Sequence, residues 1–459
     1  MRHTLRDDRR GLVLVVAMAA GALGCGSDGE PDAPSAATRR DPGPAPTFYE
    51  HAAPIFEAKC VSCHQEGGIG PFSLDDYAAA SARASQIEAY TADRIMPPFL
   101  VETGGECGSF DEGVALTDEE IATIGAWARG GALEGSPVEL VRPALPVLAG
   151  ATDFALPEFM PQITGGPLAE FDEYRCLPVP TALDADAFVT GYDLSPGNAE
   201  LVHHVIAYVV DLEHVTESGQ TNQQVIDALR AADPNPERVG WSCFSSAGEG
   251  VEFESAPAVW APGQGIVEYP EGLGVPLRRG RTLVMQVHYN MARAAPARDQ
   301  TTLRLRLSPS VAREAVFLGG DDLLESLYGS APALLAAGQR SIKFTWESSG
   351  RDMGVGDGLD AELVSFFPHM HERGRKYTFE IAQGAGSYGC QGRVNRWDFA
   401  WQRIYDYAAP IPFDANTRFR VTCDYDTSAD TEPVRPGWGT QNEMCFVLLM
   451  LALPPGVSL

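Results

Sequence analysis

Between Val202 and Leu453 the chain is cut into short runs of alternating apolar residues separated by turn residues, and this texture restricts it to a mainly β fold. The runs are Val202–Val210, Arg281–Tyr289, Thr302–Leu307, Ser341–Trp346, Glu362–Phe367, Tyr377–Ile381, Arg418–Tyr425 and Met444–Leu453. Helical spacing is scarce here, apart from Gln223–Ala232. The 47 glycines and 34 prolines of the chain provide the turns that many short strands need. Roughly 320 residues of this kind are too many for one sandwich and suit two, in tandem.

The front of the chain reads differently. Residues 1–25 have an arginine-rich start and then a mostly apolar run, Gly11–Gly24, too short for a comfortable membrane span. The run ends in Ala22-Leu23-Gly24-Cys25, which looks like a bacterial lipobox with Cys25 as the lipidated residue; ordinary secretory cleavage nearby is the alternative. Either way the mature chain is expected outside the cytosol, on the periplasmic side or at the cell surface, where disulfides persist. Residues 26–46 are polar, Pro- and Gly-rich, and read as a disordered tether. The net charge of −28, with no Lys/Arg cluster, argues against nucleic acid as a partner and leaves a lipid anchor as the only expected membrane contact.

Residues 47–140 form a first, helical domain. Phe48, Ala52, Ile55 and Phe56 are at helical spacing in Phe48–Cys60. Cys60-Val61-Ser62-Cys63-His64 follows, and C-x-x-C-H is the attachment signal for c-type haem: two thiols bond the vinyl groups and the adjacent imidazole ligates iron. A zinc site or a disulfide is the competing reading. Met96, ahead of two prolines, is the candidate second axial ligand, and a thioether there favours reduced iron. Thr117 to Glu120 reads as a capping box opening a helix that ends at Gly130-Gly131. The segment resembles a small class I-like cytochrome c. Residues 141–160 are a connector.

Six of the nine histidines fall in motifs. His369 and His371 are separated by one residue, so on a strand they share a face and can grip one metal ion. His203 and His204 are adjacent, at the start of an apolar strand. Either the backbone bends so that both reach one ion, or one is core and the other exposed. Taken alone, His288 is a satisfied core histidine and Met444 a core methionine.

In order, His203-His204, His288 in Gln286-Val287-His288-Tyr289-Asn290, His369-x-His371 and Glu443-Met444-Cys445 closely resemble the copper type II, ascorbate-dependent monooxygenases. Asp172-Glu173-Tyr174-Arg175-Cys176 and Val259-Trp260-Ala261-Pro262-Gly263 belong to the same likeness, which covers roughly residues 165–455. It implies two jelly-roll-like sandwiches, here 161–311 and 312–459, facing each other across an open cleft. His203, His204 and His288 would hold an electron-transfer copper; His369, His371 and Met444 would hold a second, oxygen-binding copper. Neutral imidazoles suit both copper oxidation states, and a thioether favours Cu(I). The likeness also implies disulfides Cys176–Cys243 and Cys423–Cys445, and leaves the pairing of Cys107 and Cys390 open.

Peptide-amidating members carry an Arg two residues before H-x-H, and an Asn and a Tyr two and four residues after the Met. Here these positions are Phe367, Phe446 and Leu448. An apolar wall does not hold a carboxylate, because desolvating the charge unpaired is very costly. The expectation is therefore a monooxygenase that hydroxylates an aliphatic C–H of a small apolar or aromatic substrate with O2. Electrons would come from an external donor, ascorbate or a redox protein, through the haem and then the His203/His204/His288 copper. The competing readings are a non-catalytic redox or copper-handling lipoprotein and an adhesion module.

Overall fold

The structure is a computed structural model. It describes residues 45–458 except 67–69, 112, 139–146, 164–170, 180, 182, 234, 245, 263 and 293. The export signal, Cys25 and the tether up to residue 44 lie outside the described residues.

The first region is helical. A π-helical turn, Phe48–Ala52, runs into an α-helix at Ala53–Lys59, where the sequence predicts one continuous helix. Pro54 has no amide to donate, and just before it the Ala52 N–H reaches back five residues to the Thr47 carbonyl at 3.3 Å. Short helices follow at Tyr77–Ser81 and Ala84–Ala92. The helix Asp118–Arg129 opens on the expected capping box, with the Glu120 N–H donating to Thr117 Oγ1 and the Thr117 N–H to Glu120 Oε2. Its buried Trp127 packs on Phe48 and Phe56, with ring centroids 5.9 and 5.8 Å apart, which ties the last helix to the first.

The rest is β-structure in three sheets. A five-stranded sheet takes Trp241–Ser242, Asp172–Val179, Thr282–Asn290, Val202–Val210 and Ser255–Trp260 in that spatial order. A four-stranded sheet takes Ile342–Ser349, Arg418–Tyr425, Gly374–Ala382 and Gly389–Val394. The third, nine-stranded sheet serves both sandwiches. Its first half (Ala151–Ala155, Thr302–Ser308, Ala187–Ser195, Leu273–Leu277, with Val267–Glu268 paired to Ala187–Ser195) shares a core with the five-stranded sheet, where Val189, Tyr192 and Leu303 meet Val205, Leu283 and Val287. Its second half (Arg313–Gly320, Phe446–Ala452, Ala361–His369, Tyr405–Phe413) shares a core with the four-stranded sheet, where Phe366, Leu449 and Leu451 meet Tyr377, Phe379 and Val421. Each such fully buried side chain contributes roughly 2 kcal/mol.

The halves join where Leu273 and Gly274 pair in parallel with Arg313 and Glu314. Tandem sandwiches are expected to be separate; here one sheet runs through both. The cause is local: only Pro309–Ala312 separate the strands Thr302–Ser308 and Arg313–Gly320, so the second sandwich starts at the edge of the first.

Candidate metal centres

Strands Val202–Val210 and Thr282–Asn290 pair antiparallel, with His204 directly opposite His288. The register slips between Val202 and His204, leaving His203 as the extra residue of a bulge. An unbroken strand would send adjacent side chains to opposite faces; the bulge lets both rings turn to one side. The three rings bring donor atoms within 4.8 Å of one another. Nδ1 of His204 lies 3.3 Å from Nδ1 of His203 and 3.3 Å from Nδ1 of His288.

His288 Nε2–H donates to Asp172 Oδ1 at 3.0 Å, which assigns the lone pair of that ring to Nδ1. Lone pairs therefore converge on a shared space, as a cation requires. Burial holds His203 and His204 well below the usual imidazole range, with the neighbouring histidines adding to it, so both stay neutral. His203 Nε2 is buried without a hydrogen-bond partner. Tyr174 stacks on His288 at 4.1 Å and donates its hydroxyl to the Trp438 carbonyl at 2.8 Å.

The second group forms at the other sandwich. His369 is the last residue of its strand, and His371 lies just past the end, so the pair is not carried on one strand face as the spacing predicts. A turn does the positioning. The His371 and Arg373 N–H groups donate to the two oxygens of the fully buried Glu443, at 2.9 and 2.7 Å. Burial pushes that carboxyl up to about 8.

The two rings are 5.1 Å apart and nearly perpendicular. His369 Nδ1–H donates to Gln402 Oε1 at 2.5 Å, and His371 Nδ1–H to the Asn442 carbonyl at 3.1 Å. These acceptors assign the protons to Nδ1 and leave each Nε2 as the free donor. Burial lowers His369 to about 4 and holds His371 well down, so neither carries charge at neutral pH. Met444 is buried and comes two residues after the carbonyl that orients His371. Its own carbonyl accepts from the Tyr425 hydroxyl at 2.7 Å. Cys445 beside it is bonded to Cys423 and donates its N–H to Asp321.

An open cleft between the two groups is not what the structure has. The rings of His204 and His369 are 6.3 Å apart. Phe399 stacks on His203 at 4.4 Å and lies 5.8 Å from His371. The gap is closed by polar contacts across it: Asp172 accepts from His288 and Asn290 of its own sandwich and from Thr440 N and Oγ1 of the other. Sequence reasoning missed Gln402 and Phe399, which lie in an unpatterned loop more than 25 residues beyond the H-x-H pair. Asp172 and Glu443 stood inside noted motifs, but nothing in one chain distinguishes them from other acids.

In the helical region Cys60 and Cys63 are unpaired, whereas the other six described cysteines form Cys107–Cys390, Cys176–Cys243 and Cys423–Cys445. His64 Nδ1–H donates to the Phe72 carbonyl at 3.0 Å and leaves Nε2 free. Gly70 passes so close to this ring that a Cβ there would come within 2.6 Å of His64 Nδ1. The thiols, imidazole and glycine suit a c-type haem. Met96 lines a cleft of about 550 Å³ with Leu116, Ile121, Asn395 and Arg396, and Cys60, Cys63 and His64 are not among the walls of that cleft.

Residues 353–456 match the model of the C-terminal domain of copper type II ascorbate-dependent monooxygenases. Over 260 residues the chain is 23% identical to a tyramine beta-hydroxylase of Caenorhabditis briggsae, covering 55% of this chain and 40% of that protein. The chain thus spans about two fifths of the length of that relative. Among solved structures, the major capsid protein P2 of bacteriophage PM2 aligns over 67% of this chain and all of its own, at 8% identity and a TM-score of 0.27. The VP2 subviral particle of infectious bursal disease virus aligns over 67% of this chain and 81% of its own, at 9% identity and a TM-score of 0.15. No described helix is long and apolar enough to cross a membrane.

Proposed function

We propose that the chain is an exported, lipid-anchored copper monooxygenase that hydroxylates an aliphatic C–H of an apolar or aromatic substrate with O2, its electrons supplied through a covalently bound haem c. One observation carries the reading: five imidazoles, drawn from both sandwiches, gather in two adjoining groups whose rings come within 6.3 Å of each other. His203, His204 and His288 would hold one copper and His369, His371 and Met444 the other. Copper bound there supplies electron storage at the first group and O2 activation for C–H cleavage at the second. Cys60, Cys63 and His64 would hold the haem, with Met96 as the further candidate ligand, and the group would supply a tethered electron source.

The chain's own groups do the rest. Gln402 and Asn442 keep the protons of His369 and His371 on Nδ1, so each Nε2 points its lone pair at the metal. Asp172 does the same for His288 at the opposite nitrogen. Glu443 fixes the turn that presents His371. Phe367 and Phe446 flank His369, each with its ring 6.2 Å away, and Phe446 packs over Gly319, where a Cβ would come within 2.9 Å of it. This wall favours a neutral apolar substrate and gives a carboxylate no partner.

The test is turnover of copper- and haem-replete protein with ¹⁸O-labelled O2 against a library of hydrophobic and aromatic compounds. Label is expected in an alcohol product. Haem reoxidation with no labelled product would overturn the enzyme reading in favour of an electron shuttle, and labelled product from C-terminal glycine peptides would overturn the substrate reading.

A further inference from the structure

The helical region is fastened to the second sandwich, not merely tethered beside it. Residues 99–111 leave the helices and run along that sandwich, meeting it at two isolated bridges. Val101 bridges Val394 and Phe110 bridges Tyr407, both antiparallel. The Glu102 N–H donates to the Arg393 carbonyl at 2.8 Å, the Asp111 N–H to Asp406 O at 2.9 Å and the Ala408 N–H to Ser109 O at 2.9 Å. Phe99 meets Tyr405 edge-on at 5.2 Å, and Phe110 stacks on Tyr407 at 4.9 Å. The Cys107–Cys390 disulfide makes the junction covalent.

One loop of the second sandwich runs from this junction to the histidines. Its first residues, Asn395 and Arg396, line the same cleft as Met96, and Arg396 Nη2 donates to the Arg94 carbonyl at 3.3 Å. The next residue, Trp397, is buried and donates its indole N–H to the His371 carbonyl at 3.2 Å. Two residues on, Phe399 stacks on His203 at 4.4 Å. Gln402 Oε1 then accepts a hydrogen bond from His369 Nδ1–H, and its backbone N–H donates to the Pro262 carbonyl of the first sandwich at 3.2 Å. The loop thus touches the helical region at one end and both histidine groups within a few residues.

Resting on the haem-and-copper reading above, we propose that Arg396–Phe399 is the conduit by which an electron passes from the helical region to the His203/His204/His288 group. The sequence reading orders the carriers, haem before the first copper, and leaves the path between them open; a loop lent by the second sandwich offers that path. One electron leaves ferrous haem, which becomes ferric, and one cupric ion becomes cuprous, with no proton or co-reactant required. Trp397 is buried and Phe399 half-buried, so two aromatic groups and short covalent segments link the exposed Arg396 to the histidines, and the Cys107–Cys390 disulfide pins the helical region to this sandwich.

The experiment is photoreduction of the haem in the full-length, copper(II)-loaded protein. Haem oxidation is followed by its visible absorbance and copper reduction by loss of the Cu(II) EPR signal. Trp397→Phe and Phe399→Leu are expected to slow the transfer severalfold or more, because each removes packed aromatic surface from the path. Arg396→Ala with Cys107→Ser and Cys390→Ser, which touches no histidine, is expected to slow it too, while direct chemical reduction of the copper keeps the wild-type rate. A wild-type haem-to-copper rate in all of these variants would overturn the route alone. Protein that forms no covalent haem would overturn the haem reading, and the route with it.

Discussion

The first sandwich brings three imidazoles together through their Nδ1 atoms, using a bulge to bend one strand against its neighbour. The second presents two rings through Nε2, using a turn hung on a buried glutamate, and follows them with a thioether. The first group is completed by strand pairing within a sheet; the second depends on loops, Gln402 from one side and residues 440–444 from the other. A site fixed by a ladder suits a metal that cycles without changing partners. A site set by loops, with a thioether in place of one imidazole, suits a metal that must take up a diatomic gas beside substrate.

That contrast can be broken or sharpened experimentally. The largest effect is expected from His371→Ala: product formation is lost and the copper of the second group disappears, while the first group keeps its metal by EPR and metal analysis. Retained turnover would mean the two groups are not distinct in role. Next, Met444→His turns the second group into an imitation of the first. Copper is then expected to stay bound but to favour the cupric state, with O2 uptake strongly reduced in an oxygen-electrode assay.

Asp172→Asn keeps the shape but weakens the acceptor that sets the His288 tautomer, and copper affinity at the first group is expected to drop about ten- to a hundredfold by competition titration. Because Asp172 also holds Thr440, hydrogen exchange in residues 436–444 should quicken in the same variant.

The smallest effect on turnover concerns Asp321, which caps the helix Asp322–Glu325 and takes the Cys445 N–H. Burial raises its carboxyl from 3.8 to about 7. Between those values the folded chain holds a proton on this carboxyl that the unfolded chain has released, so the contribution of Asp321 to stability falls as pH rises through the window and is spent above about 7. The span is at most about 4 kcal/mol. Urea titrations below and above the window should show the slope, and Asp321→Asn should reduce it, leaving the share of Glu443, whose buried carboxyl is pushed up to about 8.

Much of this could be read from the residues because metal ligands are few and chemically distinctive. His203, His204, His288, His369 and His371 are rare side chains in short motifs, and the strands that carry them alternate cleanly. The capping box at Thr117 was equally legible, since both of its hydrogen bonds are local. What stayed hidden was long-range. Nothing near Gln402 or Phe399 marks them, because their role comes from where an irregular loop happens to pass. The closeness of the two histidine groups was hidden for the same reason: it depends on Asp172 meeting Thr440, 268 residues away. The spacing of His369 and His371 suggested one strand face, but strand ends are decided by tertiary partners such as Glu443.

The single sheet that threads both sandwiches has a mechanical corollary. With Leu273–Gly274 stitched to Arg313–Glu314 by backbone bonds, the halves are bound like two boards on one spine. Any parting that admits a bulky guest has to be a swing about that stitching rather than a sliding apart. The resistance to such a swing would come from Asp172, Gln402 and the other polar fasteners at the histidine groups.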